Sequence, residues 1–353
     1  MSALHDVAES ATPGATPPLP AARGPLSDAV LRTLGGERRD PPASAPLDPL
    51  GDDDLHLGLY LLYELHYRGL PGVPEELEWD PGVLALRGSL ERAFEAALRR
   101  TVPGGDVGPD GVAEELRAVA APPGEDSLPA FVERSASLEQ VRELLALRSA
   151  YQLKEADPHS WLIPRLAGPP KALLMEIQYD EYGSGDPAWI HAELFRESME
   201  AIGLDGSYGA YVGRLPGTVL ATVNLISLFG LHRRLRGALV GHLAVFEMTS
   251  SLPNRAYGNG LRRLGAGESV TRFFDEHVEA DAVHEVLASD LAVAVASTEP
   301  WLAPDVVFGA RSLALVEDRA AGAILGAWRT GHSALFGEPS LLGEPSHLGS
   351  PSS

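Results

Sequence analysis

Three side chains that can bind a metal ion recur at helical spacing in the C-terminal third of the chain. His277, Asp281 and His284 occupy positions i, i+4 and i+7, and on an α-helix this spacing puts all three on one face. Two imidazoles and a carboxylate form a mixed nitrogen and oxygen ligand set, which suits iron. We interpret the segment as half of a metal site, although a solvated helix face can show the same spacing.

Four further ionisable residues interrupt segments that are otherwise apolar. An isolated charge is costly to bury, so a carboxylate inside an apolar helix must be paired or must bind a metal ion. Any one of the four could instead cap a helix or form a structural ion pair. The additional candidate ligands are Glu155, Glu181, His191 and Glu247.

The candidate ligands come from at least four expected helices. Facing helices that direct Glu and His inward hold two metal ions in the di-iron and di-manganese bundles. The ferritin-like version of that site places Glu three residues before His on each of two helices. Ala188 occupies that position before His191, and neither His277 nor His284 follows a Glu at this interval. The sequence therefore does not predict a plain ferritin-like site.

Neighbouring polar residues are alternatives to these ligands or could support them. Asp180 and Glu176 could replace the nearby candidate carboxylate if the helix register differs from the expected one. His159 lies near a helix end and is interpreted as structural, with a supporting role at the metal site as the alternative. Glu64 and His66 are two residues apart and do not share a helix face, so they are not a pair at one metal. Either of them could still line a pocket.

Helices are the elements that must bring these residues together. Apolar residues recur at intervals of three and four, and no alternating strand pattern of convincing length is found. Asp186 and Pro187 predict a helix start just before His191, because Asp caps helices and Pro favours their first turn. The fold class is predicted to be all-α. The expected helices cover residues 52–68, 81–100, 128–156, 170–182, 187–202, 218–229, 233–250, 254–264, 268–295 and 305–328.

Composition divides the chain into four parts. Residues 1–50 are rich in Ala, Pro, Gly and Asp and are expected to be mostly disordered, apart from one short helical turn. Residues 51–127 are expected to form helices that pack on a bundle, and residues 128–334 to form the bundle that binds metal. The low-complexity tail, residues 335–353, is expected to be disordered, which removes His347 from the ligand candidates.

The charge and the absence of cysteine exclude several classes of function. The 353 residues include 28 Lys and Arg against 49 Asp and Glu, a net charge of −21. This balance argues against binding to nucleic acid or to an anionic membrane surface. Without cysteine there can be no disulfide, thiolate metal site, iron–sulfur cluster or cysteine nucleophile. No apolar run reaches the roughly 18 residues of a membrane span, and no secretory signal pattern is found, so a cytoplasmic protein is expected.

Five segments carry a resemblance to a known family. They are KEADPH from Lys154, QYDEYGSG from Gln178, HAELF from His191, the stretch 227–251, and His277-x3-Asp281-x2-His284. Together they resemble the heme-oxygenase-like di-iron oxidases and oxygenases, often described as iron-containing redox enzymes. The resemblance implies a heme-oxygenase-like helical bundle without heme. It also implies Fe(II) as the cofactor, with two ions, the second of which is loosely held.

The resemblance also assigns ligand roles. The first core helix of the family supplies a Glu, which falls on Glu155, and the second supplies a His, which falls on His191. The third carries the motif at 277–284. Many members have a Glu where this chain has Ala188. Either Glu181, which matches an additional carboxylate of one member, or Glu247 is expected to replace that missing ligand.

The activity implied by the resemblance is oxidation of a small-molecule substrate by O2. Reactions of the family include N-oxygenation, desaturation and C–C cleavage of amino-acid-like or fatty-acid-like molecules. An electron donor could be required, and a homodimer is a further possibility.

Two alternative functions stay open. A cofactor-free bundle of the thiaminase type shares the fold, but many such proteins use a cysteine nucleophile and this chain has none. A non-enzymatic helical metal-binding protein would lack a substrate-sized apolar pocket beside the metal.

Overall fold

The described part of the structure is helical throughout. The computed structural model describes residues 17–37, 46–103 and 105–337, without the side chains of Asp281 and Ala282. Within these ranges there is no β-strand, so the all-α prediction is confirmed, and no helix there is both long and apolar enough to cross a membrane. The α-helices are α1 (Pro25–Leu34), α2 (Asp53–Glu64), α3 (Pro81–Thr101), α4 (Val112–Val119), α5 (Leu128–Arg134), α6 (Leu138–Gln152), α7 (Gly168–Glu181), α8 (His191–Ala201), α9 (Gly217–Leu231), α10 (Arg236–Arg263), α11 (Glu268–Thr298) and α12 (Ala303–Arg329).

Three long helices at the C-terminal end organise the bundle. α10 packs against both α11 and α12, while α7 and α8 lie on α11 and α9 packs against α2 and α12. The apolar faces of all these helices join in one continuous buried core, which stabilises the fold by about 25 cal/mol for each Å² removed from water. The packing surrounds α11 with α7, α8 and α10, and these four helices carry most of the candidate ligands.

The segment expected to form one long helix, 128–156, is broken into two. α5 ends at Arg134 and α6 begins at Leu138, because Ser137 and Gln140 form a reciprocal capping box that starts a new helix. α6 ends at Gln152, so Glu155 lies in the turn that follows α6 and not on the helix itself. The turn precedes Pro158, which disfavours helical backbone in the residue before it.

The two helices expected at 233–250 and 254–264 form one continuous helix, α10, with Pro253 inside it. Proline removes one backbone hydrogen bond and usually ends a helix. Here the buried face continues across the proline, from Leu243 and Glu247 on one side to Tyr257 and Leu261 on the other. Tertiary packing of that face keeps the helix intact.

The short helical turn expected within residues 1–50 is present as α1. Leu26, Val30 and Leu34 of that helix are buried, and the carboxylate of Asp54 accepts hydrogen bonds from the backbone N–H groups at its start. Residues 1–16 and 38–45 lie outside the described residues.

The expected disordered tail, 335–353, is described only as far as residue 337. Leu335 is buried, and the backbone N–H of Phe336 donates to the carbonyl of Arg214 at 2.7 Å. These residues are packed, contrary to the expectation, while residues 338–353, with His347, lie outside the described part. The division of the chain at residues 50, 127 and 334 stays a prediction.

Candidate metal centre

The predicted ligands converge in two buried groups. In each group, one ligand atom from each of three side chains lies within 4.8 Å of the others. The side chain of the remaining candidate, Asp281, lies outside the part that the structure describes. The first group consists of Glu155, His191 and His277, and the second of Glu181, Glu247 and His284.

A tight turn between α7 and α8 brings the two groups together. Glu181 is the last residue of α7 and His191 the first of α8. Gly183 within the turn has a φ of +78°, and a Cβ at this position would lie 2.8 Å from the backbone nitrogen of Ile190, so glycine is required. An antiparallel bridge between Tyr182 and Ile190 closes the turn. As a result, Nδ1 of His191 lies 3.0 Å from Oε2 of Glu181.

The orientation of His277 in the first group is set by its own helix. Its Nδ1–H donates to the carbonyl of Phe273, one turn earlier, at 2.8 Å. Nε2 therefore carries the lone pair, and it lies 3.4 Å from Oε2 of Glu155. The ring of His191 packs against that of His277, with centroids 4.4 Å apart. A hydrogen bond that fixes one imidazole nitrogen and frees the other is the usual support of a metal-binding histidine.

His284 in the second group is supported in the same way by a neighbouring helix. Its Nε2 lies 3.2 Å from Oδ2 of Asp180 on α7. The other nitrogen, Nδ1, lies 3.4 Å from Oε2 of Glu247 and 3.7 Å from Oε1 of Glu181. Asp180 thus serves as the outer hydrogen-bond partner of a candidate ligand.

The carboxylate of Glu181 faces both groups. One oxygen approaches His191 of the first group and the other approaches His284 of the second. The carboxylate of Glu181 is thus within reach of the histidines of both groups.

The charges within the centre are strongly coupled. Burial would raise the pKa of Glu181, but the imidazoles of His191, His277 and His284 lower it to about 2. Burial would lower the pKa of His284, but Glu247 and Glu181 raise it to about 9. Burial also raises the pKa of Glu247, against the opposing effect of His284. In the absence of a metal ion, a proton on His284 therefore balances part of the carboxylate charge.

Several buried polar atoms in the centre have no hydrogen-bond partner among the described residues. They include both carboxylate oxygens of Glu155. Oε2 of Glu181 and Nδ1 of His191 lie 3.0 Å apart, and Nδ1 of His284 lies 3.4 Å from Glu247, but these contacts lack the angles of a hydrogen bond. Buried polar groups in proteins are nearly always satisfied, so such a concentration requires an explanation. A cation in each group would satisfy these atoms, and a nitrogen and oxygen ligand set without sulfur suits iron. Each group therefore could hold a metal ion, and its ligand atoms suit iron.

Residues 142–318 match the family of iron-containing redox enzymes. The chain belongs to this family. The resemblance seen in the sequence is confirmed, and all seven candidate ligands lie within the matched residues. A nitrosourea synthase from Streptomyces achromogenes subsp. streptozoticus is 26% identical over 161 residues, which are 44% of this chain and 34% of the relative. The chain thus matches about a third of the length of that relative.

The departure at Ala188 has a structural reason in this member of the family. Asp186 caps only a short 3-10 turn, Pro187–Trp189, and α8 begins at His191, so the helix start predicted at residues 186–187 was placed too early. Ala188 is exposed and does not lie one helical turn before His191. Glu181 takes the place beside His191 from the end of α7.

Three residues considered as alternative or supporting groups, Glu176, His159 and Glu64, lie outside the two ligand groups. Glu176 is exposed on α7 and does not reach either group. His159 pairs with His242, Nε2 to Nδ1 at 3.3 Å, and burial lowers the pKa of His159 to about 4. Glu64 does not line the metal centre, but forms a buried ion pair with Lys154, Nζ to Oε2 at 2.9 Å. This pair ties α2 to the turn that carries Glu155.

A cavity of about 510 Å³ opens beside the first group and is lined by Glu155. Most of its wall is apolar, with Phe195, Phe246 and Phe273 near the metal centre. Arg148 and Glu317 line its far side. Sequence patterns did not predict a role for these two residues. They form an ion pair, but 169 positions separate them in the chain.

Proposed function

We propose that the protein is a non-heme di-iron oxidase or oxygenase that uses O2 to oxidise a small metabolite. The observation that carries the proposal is the pair of buried ligand groups with Glu181 between them. Membership of the iron-containing redox enzyme family supports iron and redox chemistry. The relative is by name a nitrosourea synthase, which supports an enzyme over a metal-storage protein.

Each part of the centre has a role in the proposed reaction. When bound, two Fe(II) ions supply the electrons and the open coordination positions that O2 activation requires. Glu155, His191 and His277 would hold one ion, and Glu181, Glu247 and His284 would hold the other. The hydrogen bonds from His277 to Phe273 and from His284 to Asp180 fix the ring orientations before metal arrives. Burial of all six side chains keeps bulk water away from the reacting groups.

The cavity beside Glu155 supports an enzyme over a metal-storage protein. Small-molecule sites are mostly apolar clefts of about 300–1,000 Å³, and the cavity of about 510 Å³ falls within that range. A storage site has no need of an apolar space beside its metal. Insertion of one oxygen atom of O2 into a substrate reduces the other atom to water with two electrons. The proposed reaction therefore requires an electron donor as a partner. A cytoplasmic location and a homodimer are further expectations from the sequence.

Iron binding and O2 consumption together test the proposal. The protein is titrated with Fe(II) without oxygen, the bound iron is measured after dialysis, and O2 uptake is recorded on mixing. We expect two ions per chain and O2 uptake above that of free Fe(II). His284→Ala should remove about half of the bound iron and most of the O2 uptake, with an unchanged helical circular dichroism spectrum. His332→Ala, at an exposed histidine outside the centre, is the control.

Wild-type protein that binds only trace iron would contradict the proposal. So would His284→Ala protein that binds iron and consumes O2 like the control. If His284→Ala unfolds the chain, Glu247→Gln tests the same group with a smaller change in side-chain volume.

A further inference from the structure

The cavity beside Glu155 has a second, polar end that the metal centre does not use. Arg148 and Gln152 lie one helical turn apart on α6, about 6 Å along its axis, and Glu155 lies in the turn that follows the helix. All three side chains line the cavity. The cavity therefore has a metal end at Glu155 and a distal end at Arg148.

The distal end carries an excess of negative charge. Nη1 of Arg148 lies 3.0 Å from Oε2 of Glu317 on α12, and Tyr257 contacts the same guanidinium. Asp318, next to Glu317, also lines the cavity and has no cationic partner within the described ranges. One guanidinium therefore faces two carboxylates. Burial raises the pKa of Asp318 and the charge of Glu317 raises it further, as expected for a carboxylate that lacks positive charge nearby.

The wall between the two ends combines one unsatisfied acceptor with apolar surface. Oε1 of Gln152 is buried and has no hydrogen-bond partner in the described part of the chain. A buried acceptor of this kind is stabilised by an N–H or O–H donor from a bound molecule. Toward the metal centre, Phe195, Phe246 and Phe273 offer only apolar contacts. The cavity thus presents acceptors at its distal end and hydrophobic surface toward the metal.

We propose that the substrate is an amphipathic amine whose cationic nitrogen binds between Glu317 and Asp318 and whose apolar chain extends toward Glu155. The reaction at the metal end rests on the proposed oxidase function, whereas binding at the distal end does not. An ammonium group supplies both the missing positive charge and the N–H donors. An amino acid fits the same end, because the guanidinium of Arg148 has five N–H donors and Glu317 does not use them all.

A fatty acid fits the distal end poorly. Its carboxylate would have to displace Glu317 from Arg148 and would then lie close to Asp318. In a partly buried site, the carboxylate of the fatty acid and that of Asp318 would repel each other. The distal end therefore discriminates between the two classes of substrate that the family resemblance leaves open.

Three probes of equal chain length test the substrate class. Octylamine and 2-aminooctanoate carry an ammonium group, while octanoate carries only a carboxylate. Their dissociation constants are measured by calorimetry at pH 7 with Fe(II)-loaded protein under anaerobic conditions, and again with metal-free protein. We expect both amines to bind at least about tenfold more tightly than octanoate. Tightest binding by octanoate would overturn the proposal.

Asp318→Asn identifies the carboxylate responsible. Because Asp318 is exposed, this change should leave folding intact. It should weaken binding of octylamine about tenfold without weakening that of octanoate. Asp290→Asn, at an exposed aspartate of α11 outside the cavity, is the control. The proposal is wrong if Asp318→Asn and Glu317→Gln both leave octylamine binding unchanged.

The two proposals can fail separately. Amine binding by protein that takes up no iron would leave the distal site in place and remove the oxidase. Iron uptake with O2 consumption, but without amine binding, would keep the oxidase and remove the amine as its substrate.

Discussion

Glu181 and His191 lie ten residues apart in the sequence, yet Oε2 of the carboxylate is 3.0 Å from Nδ1 of the imidazole. The contact places the end of α7 against the start of α8 and joins the two ligand groups, since the other oxygen of Glu181 faces His284. A residue shared in this way should affect both metal ions when it is changed.

We expect Glu181→Ala to weaken iron binding at both groups, whereas Glu247→Ala should weaken it only at the second. Titration with Fe(II) should show one strong site in Glu247→Ala and none in Glu181→Ala, because only Glu181 supplies an oxygen to each group. Iron per chain as a function of free Fe(II) is the measurement, with Glu139→Ala at an exposed position of α6 as control. Equal binding curves for the two variants would show that Glu181 is not shared.

Removal of the outer partner of His284 should weaken iron binding without unfolding the protein. Asp180→Ala removes the hydrogen bond to Nε2, and the loss of such a partner typically lowers metal affinity about 10–100-fold. The side chain of Asp180 is 40% exposed, so the free energy of unfolding should change little. Glu176→Ala, one turn earlier on the exposed face of α7, is the matched control. An Asp180→Ala protein with wild-type Fe(II) affinity would contradict this role.

The turn between α7 and α8 should not tolerate a side chain at Gly183. Gly183→Ala must adopt a positive φ, at a cost of about 1–2 kcal/mol, and its Cβ would also meet the nitrogen of Ile190 at 2.8 Å. Gly209→Ala shares the positive φ, but no atom lies within 4 Å of its Cβ. We expect urea unfolding to show a larger loss of stability for Gly183→Ala, and only this variant should lose bound iron. Equal effects of the two substitutions would mean that the contact with Ile190 can relax.

His56 should make the stability of the fold sensitive to acid. Its Nε2–H donates to the carbonyl of Pro49 and its Nδ1 accepts from the amide of Asn224, so the folded state holds a neutral ring. Burial lowers the pKa of this ring to about 4, whereas a histidine in the unfolded chain titrates near 6.5. Between these values only the unfolded state binds the proton, so stability falls as the pH falls below about 6.5.

Protonation of His56 in the unfolded chain should lower the free energy of unfolding by about 2 kcal/mol between pH 7 and pH 5. Urea unfolding of wild-type and His56→Gln protein at both pH values measures it. The difference between pH 7 and pH 5 should be smaller in His56→Gln by about that amount. His332→Gln, at an exposed histidine, should leave the difference unchanged, and the same pH dependence in His56→Gln as in wild type would contradict the prediction.

Local patterns predicted which side chains converge better than they predicted the helix ends. The i, i+4 and i+7 spacing identified His277 and His284 because helix geometry alone fixes which residues share a face. The same reasoning placed a helix break at Pro253, where packing on both sides of the proline holds α10 together. It also missed the break before Leu138, because the capping box at Ser137 was read as part of a longer apolar repeat.

Contacts between distant residues were beyond the reach of sequence patterns. Asp180 and His284 are separated by 104 positions, and Arg148 and Glu317 by 169. Neither pair has a spacing rule, because each forms only when α7 packs on α11 or α6 approaches α12. The sequence could therefore predict a metal centre, but not the hydrogen bond that orients one of its histidines or the charged end of the cavity.

The wall of the cavity formed by α12 contains Glu317 and Asp318, yet none of the six converging ligands lies on that helix. Substitutions on α12 can therefore reshape the cavity without changing any of the six converging side chains. Libraries restricted to the cavity-lining positions of α12 should yield variants that bind different molecules and keep the same metal affinity.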